Sequence, residues 1–254
     1  MGYIASLLLL AGCATPTATP PPTPALVRVL ATDLTEPLAL DLALAYAQAN
    51  PAVVVAPTLA AADALAASLR AGQADLALTV TPDPALFGTP LGYLPLSVVV
   101  NPANPLDRLP LATAQALFAG QVTDWTAAGG AGGPVAVVAR APDSDAGRAF
   151  AGQLWGTAAG TVTLNAALAL TWDAMRARVA ADPRAIGYVI GPALDETLKP
   201  LALTGADGGP VTLQVLVVAV AAGEPEGAAR GWLAWAQSAA GQAVVARRHS
   251  PLAP

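Results

Sequence analysis

The 254-residue chain is poor in the side chains that usually carry chemistry: one cysteine, one histidine, one lysine, and 11% charged residues in all. A single cysteine, Cys13, excludes an intramolecular disulfide and speaks against a catalytic thiol. One histidine and one cysteine cannot build a zinc cluster. His249 follows every candidate serine and aspartate, an order that would suit an α/β-hydrolase. However, no Gly-x-Ser-x-Gly elbow exists to hold a nucleophile, and a tail histidine is expected to face solvent. The glycines at 129, 130, 132 and 133 lack the Lys-Ser/Thr of a phosphate loop and the spacing of a dinucleotide fingerprint, so they read as a hairpin-like loop. A formal charge of −5 argues against a nucleic-acid binder, which needs basic stripes to displace counterions. Past residue 12 no apolar run approaches the roughly 20 residues of a membrane span. The positive mean hydropathy therefore reflects alanine-rich helices and valine-rich strands. Paired acids at Asp143/Asp145 and Asp195/Glu196 suit helix capping and solvation better than acid–base work. The composition points away from an enzyme, and neither a metal nor a cofactor is expected.

What is present begins at the front. Residues 4–11 form a short apolar run ending Leu10-Ala11-Gly12-Cys13, which looks like a bacterial lipobox, with residues 1–12 as the signal peptide and Cys13 as the lipidated residue. Residues 14–24 alternate proline with small polar residues. That density disfavours helix and sheet and selects an extended polyproline II stalk. At about 3.1 Å per residue, it holds a domain some 30 Å off a membrane. Residues 13–25 therefore read as anchor and linker.

From residue 26 onward, strands and helices alternate in units that point to α/β architecture. Residues 26–31 read as a strand, and 36–50 as a helix with Thr35 as N-cap and Pro37 in its first turn. Residues 52–56 and 75–80 are predicted strands flanking a helix over 61–71. A long buried strand is expected over 92–100, a helix over 112–118 and a strand over 135–139. A helix over 172–181 precedes a strand over 185–190. Another apolar strand over 211–221 leads to a closing helix over 227–238. Trp232 and Trp235, three apart on that helix, read as packing residues.

The most informative stretch runs from 98 to 150. It carries Asn101-Pro102, Asn104-Pro105, a helix ending at Phe118-x-Gly120, the Asp124-Trp125 turn, and a strand that delivers Arg140 to the polar turn Asp143-Ser144-Asp145. A strand handing a basic residue and a hydroxyl to a helix N-terminus is an anion-pocket arrangement, because free N–H groups and the helix dipole converge there. The order of these pieces resembles the second lobe of the periplasmic phosphate-binding proteins. The flanks extend the resemblance: Thr32-Asp33-Leu34-Thr35…Pro37-Leu38, Gly72-Gln73-Ala74-Asp75-Leu76-Ala77, Ala185-Ile186-Gly187-Tyr188-Val189, and Gly241-Gln242-Ala243-Val244-Val245 with Pro251-Leu252. The resemblance implies the two-lobed type II periplasmic-binding-protein fold, an α/β architecture with a ligand cleft between lobes joined by two hinge crossings. Lobe one would hold residues 26–97 plus 192–254, and lobe two residues 98–191. It further implies a monomeric, extracytoplasmic substrate-binding protein that passes a phosphate-like oxyanion to an ABC permease, with the membrane reached through the lipid on Cys13.

Carried over residue by residue, the resemblance assigns Arg140 and Ser144 to the ligand from lobe two, and Thr32, Thr79 and the Asp33 backbone N–H from lobe one. Plainer readings stand beside these: a strand-end salt bridge for Arg140, a helix N-cap for Ser144, turn hydroxyls for the threonines. Where the family has Gly-Thr, this chain has Asp145-Ala146. An ionised Asp145 some 4 Å from a bound anion would cost on the order of 4 kcal/mol at an effective dielectric near 20. The pocket thus suits phosphate, another oxyanion, a zwitterion whose amine meets Asp145, or a surface sensor without transport duty. The first test concerns the anchor: Cys13→Ala is expected to move the protein from the membrane pellet to the soluble fraction, and a mutant that stays in the pellet contradicts it.

Overall fold

The structure is a computed structural model that describes residues 24–158 and 160–252. The signal-peptide reading, Cys13 and almost all of the proline-rich stalk lie outside the described residues. Strand β1 (Ala25–Ala31) is followed by α1 (Glu36–Ala49), β2 (Val53–Leu59), the short helix α2 (Leu65–Arg70) and β3 (Leu76–Thr79). Both β2 and β3 pair with β1 in parallel, so this end of the sheet is a βαβ layer with α1 packed on it. The long β4 (Phe87–Val100) then leaves that end. The short β5 (Arg108–Pro110) and α3 (Leu111–Phe118) follow, then β6 (Ala136–Ala139), α4 (Asp145–Trp155), β7 (Ala167–Leu168), α5 (Trp172–Ala181) and β8 (Ala185–Ile190). The chain closes through β9 (Lys199–Pro200), β10 (Ala202–Thr204), β11 (Pro210–Val211), β12 (Leu213–Ala221), α6 (Gly227–Gln237) and α7 (Ala239–Val245).

The main sheet runs β2-β1-β3-β12-β4-β8-β6-β7, with β9 also on β4, while β11, β10 and β5 form a small separate sheet. Strand β4 ties the main sheet together. Its residues Phe87 to Leu96 pair antiparallel with β12, and Leu96 to Val100 pair antiparallel with β8. Two prolines stand inside it, although proline cannot donate to a ladder. Pro90 falls where the β4–β12 register shifts, at a bulge. Pro95 precedes the first β8 partner, Leu96, and lies between it and Tyr93, whose second edge is taken by Ser250, so its missing N–H falls in a gap between the two pairings. The strand therefore begins at Phe87, five residues earlier than the pattern over 92–100 suggests.

Packing is continuous from one end of the sheet to the other. Leu38, Leu42 and Tyr46 of α1 and Trp232 of α6 are buried at one end, and Phe118, Phe150, Met175 and Tyr188 at the other. Phe150 lies flat on Tyr188 with centroids 3.6 Å apart, and Phe118 meets Phe150 edge-on at 4.8 Å. Trp232 and Trp235 are packing residues as expected, the latter tilted against Tyr46. Trp125 is buried and donates its indole N–H to the Arg184 carbonyl, so it covers the core. Asn101 and Asn104 are likewise structural: each accepts from the N–H two residues on, and Asn101 also donates to the carbonyls that end α5. Among the described residues no helix is long and apolar enough to cross a membrane.

Two readings of the C-terminal segment are corrected. The chain does not close at residue 238: Ser238 accepts from the Gly241 N–H and caps a further helix, α7. That helix lies so close to β4 that a Cβ on Gly92 would meet Val245 at 2.7 Å. His249 is not solvent-facing. It is buried, 6% exposed, and neither ring nitrogen has a partner among the described residues. The return of the chain over β4, where Ser250 and Tyr93 exchange backbone hydrogen bonds, folds it under. Burial lowers its pKa from 6.5 to about 4. The folded state therefore favours the neutral ring, while the unfolded chain takes up a proton below 6.5, so stability is full above that pH and declines towards 4. In urea denaturation, the wild type is expected to lose roughly 3 kcal/mol at most through this group. His249→Leu should lack that component, and an unchanged pH slope in the variant would contradict it.

Candidate functional site

The site forms where the two ends of the sheet face one another, and each side is fixed locally before the sides meet. After β1, the chain turns through residues 32–35. Thr35 stands at the start of α1 but makes no side-chain cap. Its hydroxyl accepts from the Thr32 N–H at 3.0 Å and donates to the Leu78 carbonyl at 2.9 Å, which pins the turn to β3. On the opposite side, β6 ends at Ala139 and passes directly to Arg140, whose backbone N–H donates to the Tyr188 hydroxyl at 3.1 Å. That hydroxyl is buried, and its pKa is pushed up to about 12. Helix α4 starts at Asp145 with Ser144 as N-cap: its hydroxyl accepts from the Gly147 N–H at 3.0 Å and donates to the Ala141 carbonyl at 2.6 Å. Gly147 is required there, since a Cβ would collide with the Ala141 carbonyl oxygen.

Three contacts join the sides. The Arg140 guanidinium pairs with the Asp33 carboxylate, the two side chains being 7% and 34% exposed. Trp172, at the N-terminus of α5, donates its indole N–H to the Asp33 carbonyl at 3.2 Å. Its ring also lies 5.0 Å from the Arg140 guanidinium carbon, within cation–π range. Thr32 donates to the Asp145 Oδ2 at 2.9 Å. Arg140 adds a 3.3 Å bond to the Ala169 carbonyl, which leaves Nε without a partner among the described residues.

Asp145 is 5% exposed and its Oδ1 is also unpartnered among the described residues. Burial raises its pKa; the Thr32 hydrogen bond and the Arg148 charge oppose that, and the Asp33 charge adds to it. A raised carboxyl pKa means stability that is full at low pH and declines as pH rises through the folded value. Asp145 therefore acts against the slope of His249.

On either side of these contacts lies a compartment of about 490 Å³. Thr32, Asp33, Asp63, Asp143, Ser144, Asp145 and Arg148 line the first, and Asp33, Glu36, Leu59, Leu170, Trp172 and Arg176 line much of the second. Four carboxylates against one guanidinium make the first compartment acidic.

The sequence-predicted residues fare differently. Thr32, Asp33, Ser144 and Asp145 line the first compartment together; Arg140 lines neither compartment and joins them through its pair with Asp33. Thr79 does not: it is buried at the end of β3, its hydroxyl accepts from the Thr81 N–H, and it lines neither compartment. Asp33 contributes its carboxylate to Arg140, whereas sequence reasoning gave it only a backbone N–H. Trp172 was missed as a site residue. The signal was a tryptophan directly after the Thr171 N-cap, where a large ring projects from a helix start.

With this geometry in place, comparison with known proteins is informative. A family model described as the PBP superfamily domain matches residues 17–239. The chain belongs to the PBP superfamily. Its fold is the type II periplasmic-binding-protein fold. A protein from Clostridium perfringens described as a phosphate ABC transporter substrate-binding protein, solved with bound phosphate, superposes with a TM-score of 0.78. The identity is 20%, over 90% of this chain and 100% of that one. An ABC-type phosphate transport receptor from Vibrio cholerae gives 0.72 at 19% identity, over 89% of this chain and 100% of the other. The OxyR regulatory domain from Pseudomonas aeruginosa, in its reduced form, gives 0.59 at 13%, over 84% and 96%. At such identities these likenesses establish the fold alone. No curated protein matches the chain in sequence.

Proposed function

We propose that this PBP-superfamily chain is a solute-binding protein that takes a small oxyanion, phosphate first, into the cleft built on Arg140, and passes it to an ABC permease. The observation that carries this reading is the placement of Arg140. A permanently charged guanidinium stands buried just past the end of β6, on the segment that leads to the Ser144-capped start of α4, and pairs with Asp33 of the opposite turn. Guanidinium fork, helix dipole and free N–H groups all favour an oxyanion. Solved proteins of this fold described as phosphate-transport components support the choice of phosphate.

In this reading residues 26–97 with 192–254 form one lobe and 98–191 the other, with the crossings near residues 98–101 and 190–192. Two crossings suit hinge closure around a solute. In the same reading the leader directs the protein out of the cytoplasm, the lipid on Cys13 anchors it, and it acts as a monomer. The chain binds rather than catalyses. A second reading, a surface sensor of the same fold, is favoured by one observation: the Arg140–Asp33 pair joins the two sides through the protein's own side chains.

Calorimetric titration with phosphate, sulfate and molybdate tests the proposal. Phosphate should bind, and Arg140→Ala should weaken it on the order of a hundredfold or more, the scale of a lost charged hydrogen-bond pair. Wild type that binds none of the three, or an Arg140→Ala variant that binds as wild type does, would sink the oxyanion reading.

A further inference from the structure

The group that faces the Arg140 guanidinium in this structure is itself an oxyanion. The Asp33 carboxylate presents to it the chemistry a carboxylate or phosphate solute would present. The two partners differ in freedom. Arg140 is 7% exposed, its backbone is tied to Tyr188, one guanidinium nitrogen is held by the Ala169 carbonyl, and its face is covered by Trp172. The Asp33 side chain is 34% exposed and lines both compartments, so rotation about its own side-chain bonds carries the carboxylate out of the pair without moving the turn. The turn itself is held by the Thr35 bonds and by the Trp172 indole on the Asp33 carbonyl. Asp145 plays no part in this pairing: its Oδ2 accepts from Thr32, and its Oδ1 has no partner among the described residues.

We propose that Asp33 is a specificity-determining residue of the cleft: a tethered internal carboxylate that competes with the solute for Arg140. This deepens the oxyanion reading and rests on it. A partner attached to the same chain acts at an effective concentration in the millimolar range. The apparent dissociation constant of a solute rises by the inverse of the fraction of molecules in which Arg140 is free. Weak carboxylate metabolites, which offer Arg140 nothing that Asp33 does not already offer, are excluded. A tetrahedral oxyanion of higher charge displaces Asp33, because it engages the guanidinium more strongly than one carboxylate does. A purely structural pair would also join the sides of the cleft, but removing its charge would not improve binding.

The test is a calorimetric titration of inorganic phosphate and of acetate into the full-length wild type, Asp33→Asn and Asp33→Glu, alongside thermal unfolding in phosphate-free buffer. Asp33→Asn is expected to bind phosphate ten- to a hundredfold more tightly than wild type, on the order of one charged hydrogen bond, and to gain measurable acetate binding. Its midpoint, lowered in phosphate-free buffer by the uncompensated Arg140, should recover with phosphate. Asp33→Glu, which keeps a carboxylate, should behave as wild type. Should Asp33→Asn not fold, Asp33→Ser supplies the same comparison. Phosphate affinity equal to or weaker than wild type in the variant overturns the inference and leaves the role of Arg140 standing. If wild type binds no phosphate, the oxyanion reading falls and the inference that rests on it falls too, whatever Asp33→Asn does.

Discussion

A guanidinium cannot shed its charge, and Arg140 carries one in the interior. Burying such a group calls for a counter-ion and for partners to its donors, and of the guanidinium nitrogens only Nε lacks one among the described residues. The surroundings of Arg140 follow from that constraint. Strand β6 must end where the Tyr188 hydroxyl can take the next N–H, Trp172 covers the charged plane, and the Ala169 carbonyl accepts from one nitrogen. The negative partner comes from the other side of the cleft, on the turn after β1. A requirement of charge balance at one strand end thus becomes a bridge between the two ends of the sheet.

Much of this was legible in the sequence because it is local. The α5 and β8 bounds follow from helical spacing, a Thr171 cap and an unbroken apolar run, and Ser144 is a cap by the residue types around it. Arg140 was legible as the basic residue between strand and helix. What escaped is what depends on distant chain. Asp33 and Arg140 stand 107 residues apart, and no local pattern predicts that the carboxylate reaches the guanidinium. Thr79 reads as a strand-end hydroxyl, but the hydroxyl turns to its own chain. His249 looks like part of a polar tail beside two arginines, and only the return of the chain over β4 buries it. In β4, the expected strand over 92–100 takes in Pro95 but stops short of Pro90, because sequence does not show that a bulge carries the ladder past that proline.

The cleft poses an electrostatic question that its fold does not answer. One fold houses proteins described as phosphate-transport components and a regulatory domain, so function must be argued from side chains. In the first compartment the side chains divide: Arg148 and the start of α4 favour an anion, while Asp63, Asp143 and Asp145 oppose it. Burial raises the Asp145 pKa, which favours its neutral form and softens that opposition. The balance rests with Asp33, which neutralises Arg140 when paired and exposes it when turned away.

The most direct measurement is a pair of crystal structures of the protein, grown with and without saturating phosphate. The account predicts phosphate on the Arg140 guanidinium with the Asp33 carboxylate turned away in one crystal, and the Arg140–Asp33 pair intact in the other. Phosphate bound elsewhere while that pair persists, or no bound phosphate at saturation, would contradict it.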